Sequence, residues 1–466
     1  MKKIFYIILA LILSGPGNAD AFEVRIHGDK LSIHADHVPL QSILQRMADM
    51  GITVQIDPQL NPKISASFEN RDIQKGLLSI LRPLNHVLIW ESDGKSRKTR
   101  SAERTGKSVR LAEIQVFRPG KKDLMERLNE FSVAKNPKDG SLYVRDEILL
   151  KLSPKLSPSV LETLVARIGG TVLEKNEATG VYRIRLPENT DVLALADLIG
   201  KNPGIGTAEP NYVYPISAPQ GNVFASAFDE SDRIMLPDGT VPIAVLDTGL
   251  TADSGMDDLV PASLDALNPG DSISDSLGHG TQMALIASGV ITPHGAEEDS
   301  ETLNPVIPIR IFDDNGLTSN FSIMRSIDFA LENGARVMSL SWSSETKSEF
   351  LENALDNAAS NDLIVVAAAG NEPTGKEVWP AAYPSVIGVG ALNPEGEDWE
   401  KSNYGNFVSL SAPGFATLPV GYKGDPGAYA GTSISTAYVA NTIADYLSKN
   451  PEATFQDVLD SLKDLF

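Results

Sequence analysis

Short apolar runs alternate with amphipathic stretches in the C-terminal half of the chain. The apolar runs lie at 241–246, 306–311, 336–342, 363–369 and 386–390, and helical periodicity follows at 321–332, 350–359 and 437–447. Short, continuously apolar runs are typical of strands buried on both faces of a parallel sheet, with helical crossovers covering both faces. The pattern predicts an α/β fold with a doubly wound parallel sheet over 217–466.

Two smaller α+β patterns precede this domain. In 22–92, alternating runs predict strands, and apolar helical faces cover 40–48 and 73–81. In 143–216 the runs follow a β-α-β-β-α-β order, with Pro158 at the first position of a predicted helix. Residues 93–142 are polar and basic at first, which predicts a linker with some local structure.

The first residues have the pattern of an export signal. Met-Lys-Lys is followed by an apolar run over 4–13 and by Ala19-Asp20-Ala21, which predicts a signal peptide over 1–21. The apolar run is short for a membrane span and no later segment is long enough, so no span is expected after signal removal; an uncleaved anchor is the alternative. The chain has no cysteine, which excludes disulfides and thiolate metal sites.

Charge is divided unevenly along the chain. Residues 1–216 hold 30 basic and 25 acidic residues, whereas 217–466 hold 10 basic and 36 acidic residues. So negative a C-terminal half argues against nucleic acid as a partner. It indicates either electrostatic complementarity with the leader half or a solvated acidic surface.

Four polar residues stand where chemistry is expected. Asp247 ends an apolar run before Thr-Gly, and Asn371 ends another after Gly370. His279, in Gly-His-Gly-Thr, and Ser433, in Gly-Thr-Ser, each open a helical run. Carboxylate, imidazole and hydroxyl are the groups of an acyl-transfer triad, and ligands of such folds bind beyond the carboxyl ends of the strands.

These motifs, in this order, resemble the subtilisin-like serine proteases, the subtilases. The resemblance implies that Ser433 is the nucleophile, His279 the base and Asp247 its orienter. The side-chain amide of Asn371 and the backbone N–H of Ser433 would form the oxyanion hole. It also implies that two segments line the substrate pocket: Ser341, Trp342 and Ser343 on one wall, and Ala368, Ala369 and Gly370 on the other.

The pocket leaves two specificities open. Subtilases usually carry glycine where this chain has Ser343 and Ser344. The extra side-chain atoms predict small or medium apolar side chains before the scissile bond, whereas the acidic surface favours basic ones.

The leader also resembles known modules. Glu209-Pro-Asn-Tyr212 is similar to the end of subtilase propeptides, which implies that 143–216 is a folding chaperone and temporary inhibitor, removed by cleavage within 212–222. The pattern from Val38-Pro-Leu to Gly51-Ile-Thr-Val54 resembles the short N-terminal domain of secretins and TonB-dependent receptors. That likeness implies a protein-contact module in a Gram-negative periplasm.

The predicted protein is therefore an exported zymogen that cleaves polypeptides and is inhibited by its own propeptide. The predicted organisation is a signal peptide (1–21), a small α+β module (22–92), a basic linker (93–142), a propeptide domain (143–216) and a subtilisin-like peptidase domain (217–466). The chemistry requires no cofactor. The acidic stretch 294–301 stands near where many relatives bind calcium and suits either Ca²⁺ or a solvated loop.

Other protein classes fit these motifs less well. Asp247-Thr-Gly also resembles an aspartic-protease loop, but Asp253-Ser-Gly is too close to supply a second lobe. An α/β-hydrolase would need Gly-x-Ser-x-Gly with histidine last in the chain. A catalytically weak or inactive subtilase-fold scaffold that binds proteins in the periplasm is the remaining alternative, and autoprocessing would discriminate it.

Overall fold

The computed structural model describes two compact units of the chain. One comprises the described residues before Val133 and the other runs from Val133 to Phe466. The predicted signal peptide lies outside the described residues. Those residues are 22–92, 109–221 and 239–466, except 49, 51, 58, 83, 123–124, 128–132, 157, 188–189, 203, 218–219, 253, 297–302 and 421–425.

The first unit is built of small sheets and two helices among its described residues. Its order is β1 (Glu23–His27), β2 (Lys30–Pro39), α1 (Leu40–Ala48), β3 (Thr53–Ile56), β4 (Lys63–Asp72), α2 (Ile73–Leu81), β5 (Asn85–Ser92), β6 (Val109–Phe117) and β7 (Glu126–Arg127). The sheets have the orders β1-β2-β4 and β5-β6-β3-β7. Helix α1 buries Leu40, Ile43, Leu44 and Met47, the spacing of one helical face.

Strand β6 corrects the predicted linker. Residues 93–142 were expected to connect domains, yet β6 pairs with β5 and β3 and buries Leu111, Ile114 and Val116 in the core of the first unit. The basic run before β6 obscures its apolar positions in the sequence. The first unit therefore extends beyond residue 92, and β8, described next, also lies inside the predicted linker.

The second unit opens with a β-α-β-β-α-β arrangement preceded by a short strand. The elements are β8 (Val133–Lys135), β9 (Leu142–Leu152), α3 (Pro158–Arg167), β10 (Thr171–Asn176), β11 (Val181–Arg185), α4 (Val192–Gly200) and β12 (Gly206–Pro215). Successive side chains of a strand face opposite sides of its sheet. Accordingly, Ile148 and Leu150 pack with α3 and α4. Leu149 faces the other side of the sheet and lies in one apolar core with Leu246 and Phe321 of the peptidase part.

The rest of the second unit is built around a parallel sheet. Its elements are β13 (Gln220–Gly221), β14 (Ile243–Asp247), β15 (Leu264–Asp265), α5 (His279–Ala287), β16 (Val306–Arg310), β17 (Leu317–Ser319), α6 (Asn320–Glu332), β18 (Val337–Leu340), α7 (Glu349–Ala359), β19 (Ile364–Ala368), β20 (Val386–Leu392), β21 (Leu410–Pro413), β22 (Phe415–Leu418), β23 (Gly427–Ala430), α8 (Thr432–Lys449) and α9 (Phe455–Leu465). In the described part of the chain, seven strands pair in parallel in the order β15-β16-β14-β18-β19-β20-β21.

Helices cover both faces of this sheet. Helices α5, α8 and α9 share one apolar core with Ile243, Val245 and Val366, while α6 and α7 share the other with Ala244, Leu246 and Val365. The alternation of neighbouring residues between two cores confirms the predicted doubly wound α/β fold. Across the described ranges, no helix combines the length and the apolar character needed to cross a membrane.

Candidate active site

Asp247 and His279 meet at the carboxyl-end edge of the sheet. Asp247 is the last residue of β14 and His279 the first residue of α5, and both side chains are buried. The Nδ1 atom of His279 lies 2.7 Å from Oδ1 of Asp247. A proton on Nδ1 donated to the carboxylate leaves Nε2 as the basic nitrogen of the ring.

Two glycines allow α5 to lie this close to the end of β14. A Cβ atom on Gly280 would sit 2.3 Å from the carbonyl oxygen of Gly249. Gly249 has a φ of +121°, and a Cβ there would sit 2.0 Å from the carbonyl oxygen of Ser274. Neither position can accept a side chain unless the backbone moves. Only glycine at both positions therefore lets α5 lie close enough for His279 to reach Asp247.

Asp275 organises the start of α5, and the sequence reasoning missed it. Its carboxylate accepts the backbone N–H groups of Leu277, Gly278 and Thr281 and the hydroxyls of Thr248 and Thr281, at 2.7–3.2 Å. It thereby joins the residue after Asp247 to the first turn of the helix that begins at His279. An acidic residue shortly before a predicted helix start was the available signal.

Ser433 is the second residue of α8 and is buried. Its hydroxyl donates to the carbonyl oxygen of Ser341 at 3.2 Å, just beyond the end of β18. A hydroxyl carries a single proton, so reaction with a base requires Ser433 to turn this proton away from Ser341.

The side-chain amide of Asn371 has a fixed orientation. Its Oδ1 accepts bonds from the backbone N–H and the hydroxyl of Thr432, both at 2.9 Å, and Thr432 Oγ1 in turn accepts the N–H of Gly370. A Cβ on Gly431 would lie 3.4 Å from Nδ2 of Asn371. The oxygen is thus held by Thr432, the residue before Ser433. The other end of the amide, Nδ2, is therefore the hydrogen-bond donor.

The predicted pocket walls follow two neighbouring strands. Ser341, Trp342 and Ser343 come after β18, and Ala368, Ala369 and Gly370 end or follow β19, which pairs with β18. The two segments face each other, because a Cβ on Gly370 would lie 2.9 Å from Oγ of Ser343. Trp342 is fully buried and packs against Phe312, with ring centroids 6.4 Å apart.

The end of the β-α-β-β-α-β segment runs along this edge. Strand β12 pairs antiparallel with β17, and the N–H of Ile216 donates to the carbonyl oxygen of Gly316 at 2.8 Å. The next residue, Ser217, has its Oγ 3.4 Å from Oγ of Ser343. Further on, β13 pairs with β23, which directly precedes Gly431. The chain is therefore paired with the peptidase part both before Ser217 and again from Gln220.

Polar contacts hold the same segment on α6 and α7. The carboxylate of Glu209 accepts the hydroxyl of Ser348 at 2.6 Å and the N–H of Glu349 at 2.7 Å. Burial raises the pKa of Glu209 to about 7, although these two bonds favour the ionised form. Asn176 donates to Asp328 at 2.7 Å, and burial raises the pKa of that carboxyl group to about 6.

An ion pair also joins the segment to α6. Arg325 forms a bidentate pair with Glu174 and stacks over Phe321, its guanidinium carbon 5.8 Å from the ring centroid. Such two-point pairing fixes orientation as well as distance.

The described residues contain no cluster of three or more histidine, aspartate or glutamate side chains placed to hold a metal ion. Most of the acidic stretch 294–301 lies outside the described residues. Its first residue, His294, is tied to β22 by its N–H to Phe415 and by Nε2 at 3.0 Å from the Thr417 hydroxyl.

The doubly wound sheet, with a buried acid–imidazole pair and a helix-initiating serine at its carboxyl-end edge, defines a class of α/β serine hydrolase. Residues 238–464 match the subtilase family, and residues 130–211 match the fervidolysin N-terminal prodomain. The chain belongs to the subtilase family of serine proteases and carries a prodomain.

Named serine proteinases are similar to large parts of the chain. The thermophilic serine proteinase of Bacillus sp. (strain AK1) is 26% identical over 313 residues, covering 65% of this chain and 78% of that protein. Subtilisin E of Bacillus subtilis (strain 168) is 30% identical, covering 56% and 70%, and subtilisin of Bacillus pumilus is 32% identical, covering 48% and 82%.

A solved structure shares the fold. Fervidolysin from Fervidobacterium pennivorans, described as a keratinolytic enzyme related to subtilisin, aligns with a TM-score of 0.52 at 23% identity. The alignment covers 69% of this chain and 57% of fervidolysin. The two family matches do not include residues 22–129, so the resemblance of the first unit to the secretin and TonB domain stays a prediction.

Proposed function

We propose that this subtilase cleaves peptide bonds through an acyl-enzyme formed on Ser433. The observation that carries the proposal is the 2.7 Å bond between His279 and Asp247, at the sheet edge that also presents Ser433 and Asn371. His279 Nε2 would take the Ser433 proton as Oγ attacks the carbonyl carbon, and would return it to the leaving amine as the C–N bond breaks. Water then releases the acyl group by the reverse proton transfers.

Asn371 and the backbone N–H of Ser433 would stabilise the oxyanion. The bonds from Thr432 hold the amide oxygen of Asn371, which leaves its nitrogen to donate. Loss of one such donor lowers kcat by about 10²–10³-fold in comparable sites.

We also propose that the prodomain inhibits this site until the chain is cut. Support comes from the pairing of β12 with β17 and of β13 with β23, which ties the described chain before and after positions 218 and 219 to the peptidase part. The cut would fall between Ser217 and Gln220, the described residues on either side of positions 218 and 219. Residues 218 and 219 lie outside the described residues.

Export to the periplasm or the medium is part of the proposal. It rests on the signal-type segment 1–21. The first unit, 22–132, would then bind a protein partner in that compartment.

Autoprocessing tests the proposed function. The purified full chain is expected to shorten with time and to yield an enzyme whose N-terminus lies within 218–220, as read by N-terminal sequencing. The Ser433→Ala variant is expected to stay full length and to leave denatured casein uncut. If both proteins stay full length, the alternative of an inactive scaffold is supported instead.

A further inference from the structure

The side chain of Tyr214 fills a pocket of the peptidase part. Tyr214 lies on β12 opposite Thr318 of β17, and its side chain is fully buried. Its ring packs on Trp342, with centroids 5.0 Å apart and planes tilted by 32°. This residue of the prodomain therefore occupies a site built for an aromatic ring, three positions before Ser217.

The hydroxyl of Tyr214 reaches a buried amide. Its Oη donates to Oδ1 of Asn320 at 2.7 Å, and Asn320 is fully buried at the first position of α6. The amide nitrogen of Asn320 donates to Oγ of Ser348 at 2.7 Å.

Ser348 determines which end of the amide faces the ring. Its hydroxyl proton goes to Glu209 at 2.6 Å, and its oxygen accepts the N–H of Leu351 at 3.1 Å. Ser348 therefore presents a lone pair to Asn320, which turns the amide nitrogen toward Ser348 and the amide oxygen toward Tyr214. The pocket is lined with an acceptor that a hydroxyl group satisfies and a bare ring does not.

We propose that Asn320 keeps this orientation in the processed enzyme, where water replaces Glu209 of the prodomain as the acceptor of the Ser348 proton. Asn320 then makes the protease prefer tyrosine to phenylalanine at the substrate residue that takes the place of Tyr214. The inference rests on the proposed function, because the substrate must follow the path of the prodomain. A phenylalanine would leave the Asn320 oxygen without its donor, and a buried acceptor without a partner is costly. Sites that hydrogen-bond a substrate hydroxyl discriminate strongly against the analogue that lacks it.

Matched peptides test this preference on the processed wild-type enzyme. Three internally quenched peptides contain Val-X-Pro-Ile-Ser-Ala, as in 213–218, with X as tyrosine, phenylalanine or O-methyltyrosine. We expect kcat/KM to be about tenfold higher for tyrosine than for either of the others. O-Methyltyrosine keeps the oxygen but cannot donate, so it separates hydrogen bonding from polarity.

Two variants locate the effect at Asn320. Asn320→Leu, which removes the acceptor, is expected to bring the tyrosine-to-phenylalanine ratio close to one, and Asn320→Asp, which keeps an acceptor, is expected to retain a preference for tyrosine. Equal cleavage of the three peptides by the wild-type enzyme overturns the inference and leaves the protease function standing. An absence of cleavage of any peptide, together with absent autoprocessing, overturns both. The wild-type comparison decides the matter even if a variant fails to fold.

Discussion

At the residue scale, the site depends on polar atoms that are already held by fixed partners. Asp247 binds the ring of His279, Thr432 binds the oxygen of Asn371, and Asp275 binds the first turn of α5. Groups held in advance need no reorganisation when charge develops, which is the main source of electrostatic catalysis. Asp275 touches no reacting atom and acts as a positioning residue.

Removal of the Asp275 carboxylate tests that role. Asp275→Ala leaves three N–H groups and two hydroxyls without their acceptor, so α5 and His279 lose a fixed position. We expect kcat to fall by about tenfold, in line with a displaced catalytic group, with KM changed by less than about twofold. The measurement is peptide hydrolysis well below the melting temperature of the variant.

A neighbouring serine supplies the control for Asp275. Ser276 lies next to Asp275 in the same loop, and its hydroxyl donates to Asp314 and not to α5. The kcat of the Ser276→Ala variant should therefore stay at the wild-type value. A purely structural role for Asp275 would lower the melting temperature while kcat at low temperature stayed unchanged.

At the scale of elements, the pocket walls are the ends of two paired strands. Strands β18 and β19 end side by side, which brings Ser343 against Gly370. The Ser343 hydroxyl fills space that glycine would leave open. The prodomain residue that lies beside Ser343 is Ser217, which also has a small side chain.

This arrangement predicts a restricted primary specificity. The wild-type enzyme should prefer small or medium apolar residues before the scissile bond, and Ser343→Gly should raise cleavage after phenylalanine or leucine by about tenfold. A peptide-library cleavage profile provides the measurement. Ser344→Gly is the control, because the backbone of Ser344 pairs with Trp379 instead. A wild-type profile dominated by arginine or lysine would show that the acidic surface determines specificity.

At the scale of the whole molecule, half-buried carboxyl groups lie where the prodomain contacts the peptidase part. Burial raises the pKa of Glu209 to about 7 and that of Asp328 to about 6. A group whose pKa is raised by folding takes up a proton on folding, so its contribution is favourable at low pH. For Glu209 the contribution is complete below its ordinary value of 4.5 and is lost as the pH rises through about 7.

The pH dependence of stability tests this linkage. We expect the melting temperature of the full-length Ser433→Ala chain to fall between pH 5 and pH 8. Adding Glu209→Gln, which does not titrate, should make this fall smaller, and adding Glu162→Gln, an exposed carboxylate on α3, should leave it unchanged. Identical pH profiles for the Glu209 and Glu162 variants would refute the assignment.

Local patterns predicted much of the fold. The helices at Leu40–Ala48 and Ile73–Leu81 begin and end where their apolar faces do. Strand β6 was missed because basic residues precede it and a bulge interrupts its pairing with β5 near Trp90. Asp275 was missed because its importance lies in donors from both sides of the site, which loop composition does not reveal.

The sequence by itself determined the order of elements, the alternation that buries the parallel sheet on both faces, and the residue types available for catalysis, because these depend on neighbours along the chain. Tertiary structure alone decided which of those residues touch. The pairing of β12 with β17, the bond from Tyr214 to Asn320 and the cap that Glu209 places on α7 join positions more than one hundred residues apart. Such contacts follow from shape, register and burial, which no local pattern encodes.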